Sequence, residues 1–234
     1  RALEKPPCQP APLMCELISE SRKQAKRLLT DIFVCADTKD KEIRDSVVQA
    51  LAYHVKTCWL HERDIQKGVR SEYAIEQGIE GADNFFFFLS KASVASKECQ
   101  RELTHALNYH KRIIPLLIEA VEEIPEAVKD LQTIDLTKGQ AVDTNKIDEL
   151  LKLLAHEQDY YHQHKRLLVR SRKWAEGHRK ATFLLRAKRL ELAKTWLELA
   201  DQRQQHLPLP LHREFIKASD EAVHQRGTEL FISY

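Results

Sequence analysis

The sequence predicts an α/β fold in which a parallel five-stranded sheet is followed by an all-helical extension. Three observations lead to this prediction. Short β-prone runs alternate with helix-length segments between residues 31 and 136, which is typical of parallel strands joined by right-handed crossovers. Residues 85–89 are an unbroken apolar run, as expected of a central strand covered on both faces. After Asn145 the apolar residues recur at helical spacing up to residue 228.

The strands and helices of the α/β part can be placed in chain order. Strands are predicted at residues 31–36, 55–60, 84–90, 112–118 and 133–136, with helical spacing at 43–52, 71–81 and 99–109 and a short helix after Pro125. Asp40 is predicted to cap the first of these helices. Pro115 lacks a backbone donor, so the fourth strand is expected at an edge of the sheet or at a bend.

Four segments are predicted along the chain. They are a proline-rich linker and helix at residues 1–29, the α/β domain at 30–144, the helical extension at 145–228 and residues 229–234. The last segment is β-prone and is expected to begin a further domain. Within the extension, a long helix from about residue 147 to Gly177, a second at 182–200 and a third at 212–224 are predicted.

Composition and charge exclude several classes of protein. The 234 residues carry a net charge of +2 and include five cysteines, none in a C-x-x-C pair, which favours reduced thiols and a cytoplasmic location. No apolar run approaches the ~20 residues that span a bilayer. Residues 160–213 hold 13 basic and 4 acidic side chains. We expect this basic segment to dock against the acidic module before it, within one chain or between copies, and no nucleic-acid or membrane partner is expected.

Four stretches together resemble a Toll/interleukin-1 receptor (TIR) domain of the bacterial type, a flavodoxin-like fold. They are "DIFVCADTKDKE" (31–42), "CWLHERDIQKG" (58–68), "IEQGIEGADNFFFFLSKASVASKECQREL" (75–103) and "KRIIPLL" (111–117). Residues 164–219 are similar to the helical segment that trails TIR domains in multidomain bacterial proteins. The end "ELFISY" (229–234) resembles the opening strand of a second TIR domain, which would be a partner within the same parent chain.

The resemblance implies a reaction and a residue that carries it. In TIR domains that hydrolyse NAD⁺, a glutamate in the helix after the third strand lies in the cleft, and the motif places it at Glu102. Cleavage of the bond between ribose and nicotinamide builds oxocarbenium-like charge, which a carboxylate can offset. NAD⁺ is then a substrate, and no bound cofactor is implied. Such enzymes act when copies self-associate, so other TIR domains are the expected partners.

Five further residues are predicted to contact the substrate. Asp37 lies in the loop after the first strand, Trp59 is placed to stack on an aromatic ring, and Asp64 and Gly68 belong to the loop after the second strand. Ser90 follows the phenylalanine run and can donate to a ribose or phosphate. A purely structural role is open for three of the predicted site residues, since Trp59 suits a core, Ser90 suits a turn and Glu102 suits a solvated helix face.

One departure from the family opens a second function. Where many members have hydroxyl and aromatic side chains after the first strand, this chain has Cys35, Ala36 and Asp37, and the added carboxylate would repel a pyrophosphate. The alternative is a divergent, non-catalytic TIR module that mediates assembly or regulation. No metal site is expected, because His162 and His164 do not share a helix face.

Overall fold

A computed structural model of the chain describes residues 30–65, 71–137 and 143–232, with side chains described as far as residue 225. The predicted linker and helix at residues 1–29 lie outside the described residues. In the described part, strands and helices alternate up to residue 135, and helices follow from residue 144 onward. The predicted fold class, a five-stranded parallel sheet with a helical extension, is confirmed.

The strands are β1 (Thr30–Cys35), β2 (Cys58–Trp59), β3 (Ala82–Leu89), β4 (Arg112–Leu117) and β5 (Ile134–Asp135). The helices around the sheet are α1 (Lys41–Tyr53), α2 (His61–Asp64), α3 (Ser71–Glu80), α4 (Lys91–Ala95), α5 (Lys97–Asn108), α6 (Glu126–Lys129) and α7 (Thr144–Ala155). The extension holds α8 (Gln158–Glu176), α9 (Lys188–Ala200) and α10 (Pro210–Ile232), with a 3₁₀ turn at Ala181–Phe183.

The sheet is ordered β2-β1-β3-β4-β5, and every neighbouring pair is parallel. All eight residues of β3 are buried, as predicted for a central strand. Phe86 and Phe88 belong to the core beneath α1 and α7, whereas Phe85 and Phe87 belong to the core beneath α3 and α5. This alternation follows from the two-residue repeat of a strand, and it explains why a run of phenylalanines can serve both faces.

Pro115 does not lie in an edge strand, which corrects the prediction, because β4 stands between β3 and β5. The nitrogen of Pro115, which carries no hydrogen, nevertheless faces a position where no strand residue is paired with β4. The amide of Ile118 donates to Leu89 O of β3, so alternation turns the nitrogen of Pro115 towards β5. Pairing with β5 begins only at Leu116. The proline therefore removes no ladder hydrogen bond from the sheet.

The long helix predicted from residue 147 to Gly177 is two helices. The first, α7, ends at Ala155, and Glu157 takes a left-handed conformation with φ 54° before α8 begins. Glu157 is held there by Arg203, whose two guanidinium nitrogens donate to its carboxylate at 2.5 and 2.8 Å. Because α7 packs into the sheet core through Ile147, Leu150 and Leu154, the helical extension as a packing unit begins at α8.

The extension has its own core and docks on the edge of the sheet where the strands begin. Buried side chains of α8, α9 and α10 form this core, among them Leu167, Trp174, Leu190, Trp196 and Phe215. Lys165 of α8 lies 2.9 Å from Asp83 at the start of β3 and donates to Thr30 O. The basic segment thus docks against the acidic module within one chain, one of the two arrangements expected from the charges.

The end of the chain differs from the β-prone pattern at residues 229–234. Helix α10 continues to Ile232, which corrects the expectation of a strand at residues 229–232. A strand needs a neighbour for its backbone hydrogen bonds, whereas a helix satisfies them locally. That these residues begin a second TIR domain stays a prediction. Among the described residues, no helix is long and apolar enough to cross a membrane.

Candidate functional site

The strand order places a crevice where the carboxyl ends of β1 and β3 meet. In an open parallel sheet, ligands bind outside the carboxyl ends of the strands at the point where the strand order reverses. Here β1 lies between β2 and β3. The connection from β1 to β2 runs to one side of β1, and the connection from β2 to β3 runs to its other side, so the strand order reverses between β1 and β3. The residues that follow β1, β2 and β3, and the helix α5 after β3, therefore surround the candidate site.

Glu102 is buried on α5, facing the sheet. The helix begins at Ser96, whose hydroxyl accepts from Cys99 N at 3.4 Å, and its apolar face carries Cys99, Leu103 and Ala106 into the core. Glu102 lies on this face and is only 6% exposed. A solvated helix face was the open alternative for this glutamate, and the structure places the side chain away from solvent.

The carboxylate of Glu102 has a close partner that the sequence analysis did not identify. His61, the first residue of α2, places its Nε2 at 2.6 Å from Glu102 Oε1. Burial opposes a charge on this imidazole, but the hydrogen bond to Glu102 and the carboxylates of Glu98 and Glu62 outweigh burial and raise the pKa of His61. The pair is thus a short, charge-assisted hydrogen bond when His61 is protonated.

Aromatic rings hold His61 in this position. The ring of Trp59 lies edge-on to the imidazole, with centroids 5.4 Å apart, and that of Phe33 lies 6.2 Å from it. Phe33 and Trp59 are in turn stacked at 4.8 Å. The backbone amide of Leu60 donates to Asp64 Oδ2 at 3.0 Å, which fixes the first turn of α2. His61 therefore stands at the rim of a rigid aromatic cluster.

Trp59 is half-buried and is not free to stack on a ligand in this structure. Beside its contact with Phe33, it packs against the backbone of α3 at Gly78. A Cβ added at Gly78 would lie 2.7 Å from Trp59 Cε2, so the glycine is required for this close approach. The predicted substrate-binding role of Trp59 stays a prediction, and its observed contacts are those of a core residue.

Ser90 and Asp40 join the ends of β1 and β3. Ser90 is fully buried, caps α4 by accepting from Ser93 N at 3.0 Å, and donates its hydroxyl to Asp40 Oδ2 at 2.6 Å. Asp40 was predicted to cap α1, but it makes no side-chain cap bond there. Asp37 instead caps the 3₁₀ turn at Thr38–Asp40 by accepting from Lys39 N. The hydroxyl of Ser90 is thus already engaged.

An open cleft of about 660 Å³ adjoins these residues. It is lined by Asp37, Lys39, Asp40, Lys91, Ala92, Ala95, Ser96 and Glu119. Burial raises the pKa of Asp40, and the carboxylates of Asp37 and Glu119 add to that rise, whereas the Ser90 hydroxyl opposes it. Three carboxylates and two ammonium groups therefore face the cleft, so the predicted excess of negative charge at its mouth is present.

Two further predicted contacts, Asp64 and Gly68, belong to the segment after β2. The side chain of Asp64 is 5% exposed and pairs with Arg63 at 2.8 Å, in addition to its bond from Leu60. It therefore orders α2. Gly68 lies outside the described residues. Of the six predicted site residues, Asp37 lines the cleft, while Glu102 and Trp59 both contact His61.

The cysteines near Glu102 are not arranged as nucleophiles. Burial raises the pKa of Cys35 well above its usual value, and contacts with Cys99 and Glu102 raise it further. A thiol of this kind stays protonated and unreactive. Cys35, Cys58 and Cys99 are free and buried. Over the part of the chain that the structure describes, no three His, Cys, Asp or Glu side chains are grouped closely enough to ligate a metal.

Comparison with known proteins identifies the family. A family model described as TIR domain matches residues 32–151, and no curated protein matches the chain. The TIR domain of the Toll-related receptor TRR-2 from Hydra magnipapillata is 20% identical, with coverage of 53% of this chain and 98% of that one and a TM-score of 0.48. A TIR-STING receptor from C. gigas is also 20% identical, with coverage of 53% of this chain and 39% of that one and a TM-score of 0.44. Both are metazoan proteins, and the bacterial subtype stays a prediction.

Proposed function

The chain belongs to the TIR domain family of signalling modules, and on this premise we propose that it is an NAD⁺ nucleosidase. The products would be nicotinamide and either ADP-ribose or an isomer of cyclic ADP-ribose. The observation that carries the proposal is the buried carboxylate of Glu102 at the carboxyl edge of the sheet. A buried acidic side chain beside a crevice is a frequent mark of a functional site.

The chemistry requires little beyond one well-placed carboxylate. As the bond between the ribose C1′ and the nicotinamide nitrogen breaks, positive charge develops on the ribose and nicotinamide leaves as a neutral molecule. The carboxylate of Glu102 would hold the ribose hydroxyls and offset that charge, and its effect is larger in a water-poor site than in bulk solvent. Water then adds its hydroxide to C1′ and releases a proton, or a hydroxyl of the same substrate closes a ring.

The cleft lies within reach of Glu102 along α5. Ser96 lines the cleft and caps this helix, and Glu102 follows about 9 Å further along the helix axis. A ribose bound at Glu102 would therefore leave the rest of the dinucleotide over the cleft. We expect Lys39 and Lys91, which line the cleft, to contact its phosphates, and the positive end of the α5 dipole to add to their attraction.

Self-association is part of the proposal. TIR domains typically associate with other TIR domains, and we expect catalysis to rise when copies of this chain are brought together. The second TIR domain predicted to begin at residues 229–234 would be a partner of this kind. Free buried thiols at Cys35, Cys58 and Cys99 suit a reducing compartment such as the cytoplasm.

One observation favours the second function, a non-catalytic TIR module. Asp37, Asp40 and Glu119 all face the cleft, and carboxylates repel the pyrophosphate of a dinucleotide. In that case the fold would serve assembly or regulation, and Glu102 would be a structural partner of His61. The two functions differ in one measurable property, which is release of nicotinamide.

The experiment is incubation of the full chain with NAD⁺, dilute and forcibly clustered, with nicotinamide measured by chromatography. We expect release to rise on clustering and to be lost in Glu102→Gln, which keeps the size of the side chain. Glu191→Gln is the matched control, since Glu191 is an exposed glutamate of α9 in the extension, away from the candidate site. Equal release by Glu102→Gln, or no release by the clustered chain, would favour the non-catalytic module.

A further inference from the structure

The carboxylate of Glu102 is occupied by a side chain of the protein itself. His61 Nε2 lies 2.6 Å from Glu102 Oε1, and the exposed fractions of the two side chains are 30% and 6%. The imidazole thus takes up part of the hydrogen-bonding capacity that a substrate hydroxyl would need. Of the two partners Glu102 is the more buried, and the histidine bonded to it is partly exposed.

We propose that His61 is a latch on Glu102, meaning that its imidazole holds the carboxylate until ribose hydroxyls of the substrate displace it. The inference rests on the proposed NAD⁺ cleavage, because it names the group that limits access to the same carboxylate. His61 regulates the site through Glu102 and takes no part in breaking the bond. Displacement costs the energy of the short hydrogen bond, so the resting protein is slow.

The surroundings of His61 allow it to leave without loss of the fold. Its imidazole contacts the rings of Trp59 and Phe33, and the turn that carries it is held separately by Asp64. Rotation of the imidazole away from Glu102 therefore breaks one hydrogen bond and exposes a side chain that is already 30% exposed. The backbone of α2 keeps its own bonds.

Protonation sets the strength of the latch. The charged and titratable groups that face His61 are Glu102 and Glu98 on α5 and Glu62 on α2, and Cys35 of β1 adjoins Glu102. The three carboxylates favour the imidazolium, and the thiol stays neutral because burial raises its pKa. The latch is therefore tight below the raised pKa of His61 and weakens above it, where the neutral imidazole no longer offers an opposite charge to the Glu102 carboxylate.

His105, which lies on α5, serves as the control for His61. His105 Nε2 lies 3.4 Å from Glu80 Oε1, and Arg172 also lies 3.4 Å from that oxygen. Both pairs join a histidine to a buried glutamate, but the Glu80 pair adjoins α8, on the side of the sheet where the extension docks. Removal of His105 therefore tests for a general effect of losing a half-buried histidine that is paired with a buried glutamate.

The experiment compares nicotinamide release by the dilute full chain in the wild type, His61→Ala and His105→Gln. We expect His61→Ala to raise kcat/KM for NAD⁺ about tenfold and His105→Gln to leave it unchanged. The wild-type rate should rise with pH through the titration of His61, and the rate of His61→Ala should not. A slower His61→Ala, or a rate equal to that of the wild type, would overturn the latch. His61→Gln, which keeps a donor without a charge, replaces His61→Ala if the alanine variant does not fold, and its rate should lose the same pH dependence.

A second readout separates failure of the latch from failure of the proposed function. In NMR titrations, His61 of the wild type should titrate at a higher pH than His61 of Glu102→Gln. A carbocyclic NAD⁺ analogue that cannot be cleaved should return the wild-type value to that of the variant. No such return would overturn the latch even where nicotinamide is released. Conversely, absence of nicotinamide from every clustered variant would overturn the proposed function, whereas the latch would still be decided by the titration.

Discussion

Lys165 Nζ lies 2.9 Å from Asp83 Oδ1, and the exposed fractions of the two side chains are 1% and 2%. This ion pair joins α8 of the extension to the start of the central strand β3. Burial of two opposite charges is tolerated only with excellent pairing and further hydrogen bonds, and Lys165 has one such bond to Thr30 O at 2.9 Å. The extension is thus tied to the sheet at a point that leaves the opposite, carboxyl edge open.

Removal of one partner of this pair should destabilise the protein strongly. We expect Asp83→Asn or Lys165→Met to lower the free energy of unfolding by about 3–5 kcal/mol, because the remaining charge stays buried without its counterion. Urea titration followed by circular dichroism measures the change. Lys180→Met, at an exposed position of the same segment, is the control and should shift the free energy by less than about 0.5 kcal/mol. A loss equal to that of the control would contradict a buried ion pair.

The contact between Gly78 and Trp59 predicts a steric effect. Gly78→Ala would place its Cβ 2.7 Å from Trp59 Cε2, so we expect a loss of about 1–3 kcal/mol in the free energy of unfolding. In the double variant with Trp59→Phe, the smaller ring should recover part of that loss, and thermal unfolding measures both. Helix propensity alone would make Gly78→Ala stabilising. A stabilised single variant would therefore show that the ring and the helix are further apart.

The buried histidines of the extension predict loss of stability in acid. Burial lowers the pKa of His212 from 6.5 to about 3, and burial also lowers that of His164, whose ring lies 4.9 Å from it. Between the pKa of about 3 for His212 in the folded protein and the value of 6.5 without burial, the unfolded state binds more protons than the folded state. Stability is therefore full above about pH 6.5 and falls as the pH decreases. For His212 alone the loss at pH 5 is about 2 kcal/mol.

Urea unfolding at pH 7 and pH 5, followed by the fluorescence of Trp174 and Trp196, measures this effect. His212→Gln should show a smaller difference between the two pH values than the wild type, because only His164 and His206, whose pKa burial lowers to about 4, then contribute. Both tryptophans belong to the core of the extension and so report on the unit that contains the histidines. Equal stability of the wild type at both pH values would contradict neutral, buried imidazoles.

The His61–Glu102 pair predicts the opposite dependence of stability on pH. Because the pKa of His61 is raised in the folded protein, its contribution to stability is full below the unfolded value near 6.5 and is lost as the pH rises through the folded value. The difference in the free energy of unfolding between the wild type and His61→Gln should therefore shrink from pH 6 to pH 8. A difference that grows over this range would mean that His61 is neutral at Glu102.

The buried cysteines predict a pattern of chemical labelling. Burial raises the pKa of Cys35 well above the usual value and that of Cys58 to about 12, and Cys99 is 3% exposed. Iodoacetamide should leave all three unmodified in the native protein and modify them in denaturant. Peptide mapping by mass spectrometry assigns the modified positions. Rapid native labelling of Cys35 would show that the region beside Glu102 is open to solvent.

The sequence predicts the sheet well because its strongest patterns are local. The apolar run at residues 85–89 identifies the central strand, and Ser90 follows it at the carboxyl edge as expected. The break before α8 is missed because it depends on a left-handed Glu157 and its bond to Arg203, far along the chain. Such a contact leaves no periodic pattern in either segment.

The sequence predicts only part of the candidate site, because one of its two paired residues lies in a local motif and the other is brought to it by long-range strand pairing. Glu102 lies in a motif of closely spaced residues, whereas His61 is an ordinary polar residue after a two-residue strand. Only the parallel pairing of β1 with β2 and β3 brings α2 and α5 together. The order "WLH" at residues 59–61 was nevertheless a usable clue, since it places a histidine at the carboxyl end of a strand, where ligands bind.

The most direct test of the account is one comparison of nicotinamide release from NAD⁺ by four full-length proteins under identical dilute conditions. The account predicts that His61→Ala is faster than the wild type, while Glu102→Gln and the double variant His61→Ala with Glu102→Gln release none. This order follows because His61 acts only through the carboxylate of Glu102. Release by the double variant at the rate of His61→Ala would contradict the account, since cleavage would then not depend on Glu102.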